Sequence, residues 1–127
     1  MQLVTQFKQL LTGLNIPSAS IDDAWQTLVH RYGEPHRHYH TLMHIESMTR
    51  YFDDIKAQLN APNSVLLAIF YHDIIYDPSR NDNEVKSAMV FTQTFGRYLS
   101  QTTLSRVNDL IMATHKHELI EPHDTDM

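Results

Sequence analysis

A single apolar segment, residues 65–76, does most to limit how this chain can fold. Its sequence is VLLAIFYHDIIY, in which His72 and Asp73 are the only strongly polar side chains. A helix that is apolar around its whole circumference is normally buried, although a run this short could also be a strand. In either conformation, the segment needs neighbouring elements on several sides.

The segments around this run have helical periodicity, without strand alternation or internal repeats. Residues 3–14 place five apolar side chains on one helical face: Leu3, Phe7, Leu10, Leu11 and Leu14. Ser20 could cap a second helix, and a third would start near Tyr39. Two further helices are predicted over residues 84–99 and 103–117. The sequence therefore predicts an all-α fold of about six helices.

Composition excludes several kinds of protein. The 127 residues fit one domain, and a hydrophobic fraction of 42% is enough for a core. The absence of cysteine removes disulfides and thiolate chemistry. A net charge of −5 is unfavourable for binding a nucleic-acid polymer. With no recognisable signal peptide and no apolar run of about 20 residues, we expect a cytoplasmic protein that does not enter a membrane.

Histidines are concentrated in EPHRHYHTLMHIESM, residues 34–48, which contains four of the nine in the chain: His36, His38, His40 and His44. Histidine is common at metal and proton-transfer sites. Because His40 and His44 are four residues apart, they would share one face of the predicted third helix. Two solvent-facing histidines would give the same pattern, and we expect at least one of His36 and His38 to be exposed.

The pair His72–Asp73 is a stronger signal, because burying an aspartate is costly unless it is paired or bound to a metal. A hydrogen bond between the two side chains in the core, or a rotation of both toward solvent, would also explain the pair. The functional interpretation is a divalent cation held by His44, His72 and Asp73. Imidazole and carboxylate together suit Mn, Fe, Co, Ni or Zn, and Mg remains open.

Four blocks of the sequence, taken in order, resemble a known family: EPHRHYHTLMHI, FYHDIIYD, NDNEVKSA and ATHKH. They look like the successive blocks of a bacterial family of predicted HD phosphohydrolases, within the HD superfamily of metal-dependent phosphohydrolases. The resemblance covers most of the chain. It implies an HD-like helical bundle in a single domain, residues 1–127, with a divalent metal as cofactor and a small phosphorylated substrate.

The resemblance also implies roles for individual residues. His72 and Asp73 match the paired metal ligands that give the superfamily its name, and Asp73 could bridge two ions. YHTLMH, residues 39–44, is similar to the YHNxxH of cyclic-nucleotide phosphodiesterases. That similarity implies that His44 binds metal and that His40 protonates the leaving oxygen.

Further side chains are expected near the site by the same resemblance. Glu84 could orient a water on the metal, or could be an ordinary first-turn glutamate that suits the helix dipole. His115 could line the pocket and contact phosphate, although exposure at a helix end would explain it equally well. Lys116 or Arg37 could add positive charge for the phosphate.

The chain departs from the superfamily at the last metal ligand, an aspartate on a later helix. Asp124 or Asp126 could substitute, although their setting differs. Alternatively, the active protein is longer, the chain binds metal weakly, or a second subunit lends the residue. Missing C-terminal helices would also leave apolar surface uncovered. We therefore expect a homo-oligomer, or a longer protein whose later helices close the core.

Three hypotheses about function follow. The first is a phosphohydrolase that cleaves a small phosphate ester or nucleotide by metal-activated water, with His40 as general acid and Asp73 and Glu84 assisting. The alternative is a catalytically inactive HD-like domain that binds a nucleotide or metal without turnover. The third is a purely structural helical protein, which leaves the His72–Asp73 pair unexplained.

Overall fold

A computed structural model describes residues 1–114, and this part of the chain is built from α-helices. Six helices and one short 3-10 turn, Lys56–Gln58, are present, and no β-strand occurs among the described residues. In chain order the helices are α1 (Leu3–Gly13), α2 (Ser18–Tyr32), α3 (Leu42–Ile55), α4 (Pro62–Tyr71), α5 (Asn83–Phe95) and α6 (Gln101–Ala113). The predicted all-α fold of about six helices is confirmed.

Helix α4 lies at the centre of the core, as its apolar composition requires. Leu67, Ala68, Ile69 and Phe70 are completely buried, and α4 packs against α3, α5 and α6. The apolar run is therefore a helix and not a strand. None of the helices within residues 1–114 is long and apolar enough to cross a membrane.

Helices α1 and α2 pack together and cover another side of α4. The predicted apolar face of α1 is correct, because Phe7, Leu10 and Leu11 are buried and the two end leucines pack against the core. The Phe7 ring lies 5.0 Å from that of Phe70, in the edge-to-face arrangement that aromatic pairs prefer.

The start of α2 was predicted wrongly. The helix begins at Ser18, directly after Pro17, whose backbone is extended. The hydroxyl of Ser20 lies 2.8 Å from that of Tyr98, so this serine joins α2 to the turn after α5 and does not cap its own helix.

Two helix ends next to the histidines also differ from the prediction. Helix α3 begins at Leu42 with Thr41 at its N-cap, so His40 precedes the helix and shares no helical face with His44. Helix α4 ends at Tyr71, so Asp73 lies in the turn beyond it and not in a helix interior. Aspartate is a poor helix former, which agrees with this early end.

An apolar groove remains exposed between α5 and α6. It has a volume of about 380 Å³, and its lining includes Val85, Met89 and Met112, each more than 40% exposed. The expectation that further protein covers apolar surface of this chain stays a prediction.

Candidate functional site

His40 and Asp73 form the shortest side-chain contact at the site. The Nδ1–H of His40 donates to Oδ2 of Asp73 across 2.5 Å, although the two residues are 33 positions apart in the chain. The Asp73 side chain is 14% exposed and that of His40 is 38% exposed. The carboxylate can only accept, so this bond places the proton of a neutral His40 ring on Nδ1.

The pKa of the Asp73 carboxyl reflects opposing effects. Burial raises this pKa, but the hydrogen bond from His40 lowers it, and so do the nearby charges of His72, His40 and Arg37. Together the lowering effects prevail, and the pKa lies below its ordinary value of 3.8. Asp73 is therefore an anion at neutral pH, as both an ion pair and metal ligation require.

His44 and His72 bring two more imidazoles to the same place. His44 stands in the first turn of α3, and His72 is the residue that ends α4. Their ring centroids are 6.0 Å apart. The buried His72 ring donates from Nδ1 to the carbonyl oxygen of Ile69 at 2.8 Å, which in the neutral ring makes Nε2 the nitrogen with the lone pair. A backbone carbonyl on the far ring nitrogen is the arrangement that orients metal-binding histidines in many proteins.

The three expected metal ligands do not form a ready-made cluster. Within residues 1–114, no group of three or more His, Cys, Asp or Glu side chains is close enough to hold a metal ion. The donor types nevertheless suit a divalent cation. Two imidazoles on one ion, each at about 2.1 Å, have ring centroids about 5 to 6 Å apart. The spacing of His44 and His72, 6.0 Å between centroids, is at the upper end of that range.

Arg37 occupies a different position from the one that phosphate binding would require. Its side chain has no exposed surface, and its guanidinium is held by Glu34 and by backbone carbonyls on both sides of the site. A guanidinium enclosed in this way does not reach a ligand in solvent. The structure therefore places Arg37 behind the site and not in a substrate pocket.

Tyr76 is a site residue that the sequence interpretation missed. Its ring stacks on that of His40, with centroids 3.9 Å apart and planes 22° from parallel. The exposed ring of His36 lies almost parallel to that of Tyr76, with the two centroids 6.1 Å apart. His36 Nε2 lies 2.7 Å from the Tyr76 carbonyl oxygen. His38 is also exposed, so the expectation for at least one of these two histidines is confirmed. Tyr76 was taken as the last residue of an apolar run, and the block FYHDIIYD that contains it gave it no role.

Polar contacts fix the turn after α4 against the start of α5. The buried Ser87 hydroxyl accepts from the N–H of Ile75 at 3.1 Å, and the side-chain amide of Asn83 bonds both the N–H and the carbonyl of Asp77. These contacts place Glu84 in the first turn of α5, partly buried. That position suits either of the roles considered for Glu84. The other expected residues, His115, Lys116, Asp124 and Asp126, lie outside the described residues.

A cleft of about 490 Å³ lies beside the stacked rings, but the candidate ligands do not line it. Its walls include Arg31, Glu34, His36, Tyr76 and Asp77.

Comparisons with protein-family models, with curated proteins and with solved structures gave no match for this chain. The site therefore has to be interpreted from its own chemistry.

Proposed function

We propose that this chain is a metal-dependent phosphohydrolase acting on a small phosphate ester, such as a nucleotide. His44, His72 and Asp73 would hold a divalent cation, and His40 would act as general acid. The observation that best supports this proposal is the position of the His72 ring. Its Nδ1–H donates to the Ile69 carbonyl, which makes Nε2 a potential ligand, and its centroid lies 6.0 Å from that of a second imidazole, His44.

A cation at this position would supply positive charge to the phosphate oxygens and would activate water for attack. Asp73 offers two carboxylate oxygens, so one can remain with His40 Nδ1 while the other faces the cation. Side-chain rotation would have to bring His44, His72 and Asp73 together around the ion, and His44 and Asp73 are only partly buried.

His40 is suited to proton delivery by its surroundings. Asp73 holds the Nδ1–H on one side of the ring, and Tyr76 packs flat against one face. The ring is therefore fixed in orientation, and Nε2 is the nitrogen from which a proton would pass to the leaving oxygen. Fixing a histidine through a carboxylate on Nδ1 is a general way to prepare it for acid–base work.

A second candidate is an HD-like domain that binds a nucleotide or a metal without turnover. The observation that favours it is that the Asp73 carboxylate is already engaged by His40. The two candidates share metal or nucleotide binding and differ only in catalysis.

The test measures metal binding and turnover on the same samples. Metal-free protein is titrated with Mn²⁺ and Co²⁺ by calorimetry, and hydrolysis of p-nitrophenyl phosphate and nucleoside monophosphates is measured with each ion. We expect His72→Ala to lose metal binding and activity together. His40→Ala should keep metal binding and lose about 10²–10⁴-fold in turnover.

His38→Ala is the matched control, because His38 belongs to the same segment and is exposed. It should change neither property. Binding without hydrolysis of any substrate would support the second candidate. A wild-type protein that binds neither ion nor the nucleoside monophosphates would contradict both, and loss of metal in His40→Ala equal to that in His72→Ala would show the assigned roles to be wrong.

A further inference from the structure

We infer that Arg37 is a positioning residue, whose buried guanidinium ties together the two irregular segments that hold His40 and Asp73. The inference deepens the proposed function, on which its catalytic meaning rests. Its structural part, that Arg37 holds these two side chains in contact, can be tested without metal or substrate.

The side chain of Arg37 makes four hydrogen bonds to described residues, and three of them go to backbone carbonyls at the site. Nη1 donates to the carbonyls of His40 at 3.0 Å and Asp73 at 2.7 Å, and Nη2 donates to that of Ile74 at 2.6 Å. Nε donates to a carboxylate oxygen of Glu34 at 3.0 Å. One nitrogen thus bridges the backbones of the two residues whose side chains pair with each other.

These carbonyls need a donor because their segments are not helical. His40 precedes α3, and Asp73 and Ile74 follow α4, so the helical i to i+4 bonds do not continue through them. A buried carbonyl without a partner is unfavourable. Arg37 satisfies three at once, that of Ile74 fully buried and the other two partly buried, which allows two irregular segments to lie side by side.

Aromatic rings fix the plane of the guanidinium. Its central carbon lies 4.9 Å from the ring centroid of Tyr32 and 5.8 Å from that of Tyr76. Tyr76 in turn stacks on His40. Arg37 therefore acts on His40 by two routes, through the backbone carbonyl and through the stacked Tyr76 ring.

Lysine cannot reproduce this arrangement, because its single ammonium lacks the planar fork that reaches several acceptors in fixed directions. Arg37→Lys is thus the informative variant. Arg31→Lys is its matched control: Arg31 pairs with the same Glu34, at 3.5 Å, but its side chain is 44% exposed and, within the described part of the chain, does not bond the site carbonyls.

The first readout is the tautomer of the His40 ring in metal-free protein, measured by ¹⁵N NMR at alkaline pH and assigned with His40→Ala. In wild-type protein and Arg31→Lys, we expect the Nδ1–H form that the bond to Asp73 requires. In folded Arg37→Lys, we expect that form to give way to the Nε2–H form that free histidine prefers. The second readout is Co²⁺ affinity, which we expect to fall by about 10- to 100-fold, as for other changes behind metal ligands.

If Arg37→Lys does not fold, Arg37→Gln is measured in the same way, because it keeps an amide donor and buries no charge. An unchanged His40 tautomer in a folded variant would overturn the inference. Failure of both variants to fold would also overturn it, since Arg37 would then be a residue of general stability. Absence of Co²⁺ binding in wild-type protein would instead contradict the proposed function. The tautomer result would then still test whether Arg37 holds the two side chains in contact.

Discussion

Two buried tyrosines offer a matched test of how the core around the site is stabilised. Tyr32 and Tyr71 are both almost completely buried, at 2% and 1% exposure. The hydroxyl of Tyr32 donates to the carbonyl oxygen of Phe70 at 2.8 Å, just before the helix end that carries His72. The hydroxyl of Tyr71 has no hydrogen-bond partner among the described residues. The same change, tyrosine to phenylalanine, should therefore have different effects at the two positions.

The magnitudes follow from what each hydroxyl does. Tyr32→Phe removes a buried hydrogen bond and leaves the Phe70 carbonyl without that donor, which together cost about 2 kcal/mol of unfolding free energy. Tyr71→Phe removes a hydroxyl that was desolvated without compensation, so we expect a change between zero and a gain of about 1 kcal/mol. Burial raises the pKa of both hydroxyls, so both are neutral near pH 7 and no charge enters the comparison.

Urea unfolding followed by circular dichroism measures both variants against the wild type. We expect the two midpoints to move apart by an amount that corresponds to about 2 to 3 kcal/mol, with unchanged m-values. Thermal melting should separate them by about 8 °C or more. If Tyr71→Phe loses as much stability as Tyr32→Phe, the Tyr71 hydroxyl has a partner, such as an internal water, and the reasoning is wrong.

The remaining predictions concern charge, capping and ligand binding. Because the pKa of Asp73 is lowered in the folded protein, its ionised form stabilises the fold above about pH 4, and this contribution is lost as the pH falls through the folded pKa. Asp73→Asn in metal-free protein should therefore be less stable than wild type at pH 7, and the difference should shrink below pH 4, as seen in urea titrations at several pH values. Ser100→Ala removes the cap bond to the Thr103 N–H and should cost about 1 kcal/mol, whereas Ser105→Ala, inside the same helix, should cost less in the same assay. A divalent ion at 100 times its dissociation constant should add about 2.7 kcal/mol to the unfolding free energy, and EDTA should reverse the gain.

The sequence predicted the fold class, the buried face of α1 and the buried run of α4, because long periodic or wholly apolar segments determine helices and buried faces. It misplaced the helix ends near the histidines, where tertiary contacts decide. Nothing in the local sequence shows that Arg37 would donate to the carbonyls of His40 and Asp73, which lie outside the helices. Capping propensity was likewise overridden at Ser20, which bonds the Tyr98 hydroxyl.

The sequence was more informative about which residues matter than about how they meet. The spacing of His40 and His44 suggested a shared helical face, yet their rings are brought within 6.4 Å by a chain that turns before α3 begins. The stacked Tyr76 could not be found from its position at the end of an apolar run. Its stacking on His40 depends on the path of the turn after α4, which no local pattern specifies.

The position of Asp73 itself argues for a role beyond stability. The carboxylate stands just past the C-terminal end of α4, where the helix dipole is negative and disfavours an anion. It is also largely removed from water, which adds to the cost. His40 and Arg37 offset this cost. To do so, His40 lies outside regular structure and the Arg37 side chain is removed from solvent. A chain selected only for a stable helical core could place an apolar residue after His72 and dispense with the network. The arrangement is easier to explain if an ionised, oriented carboxylate beside two imidazoles is what the site requires.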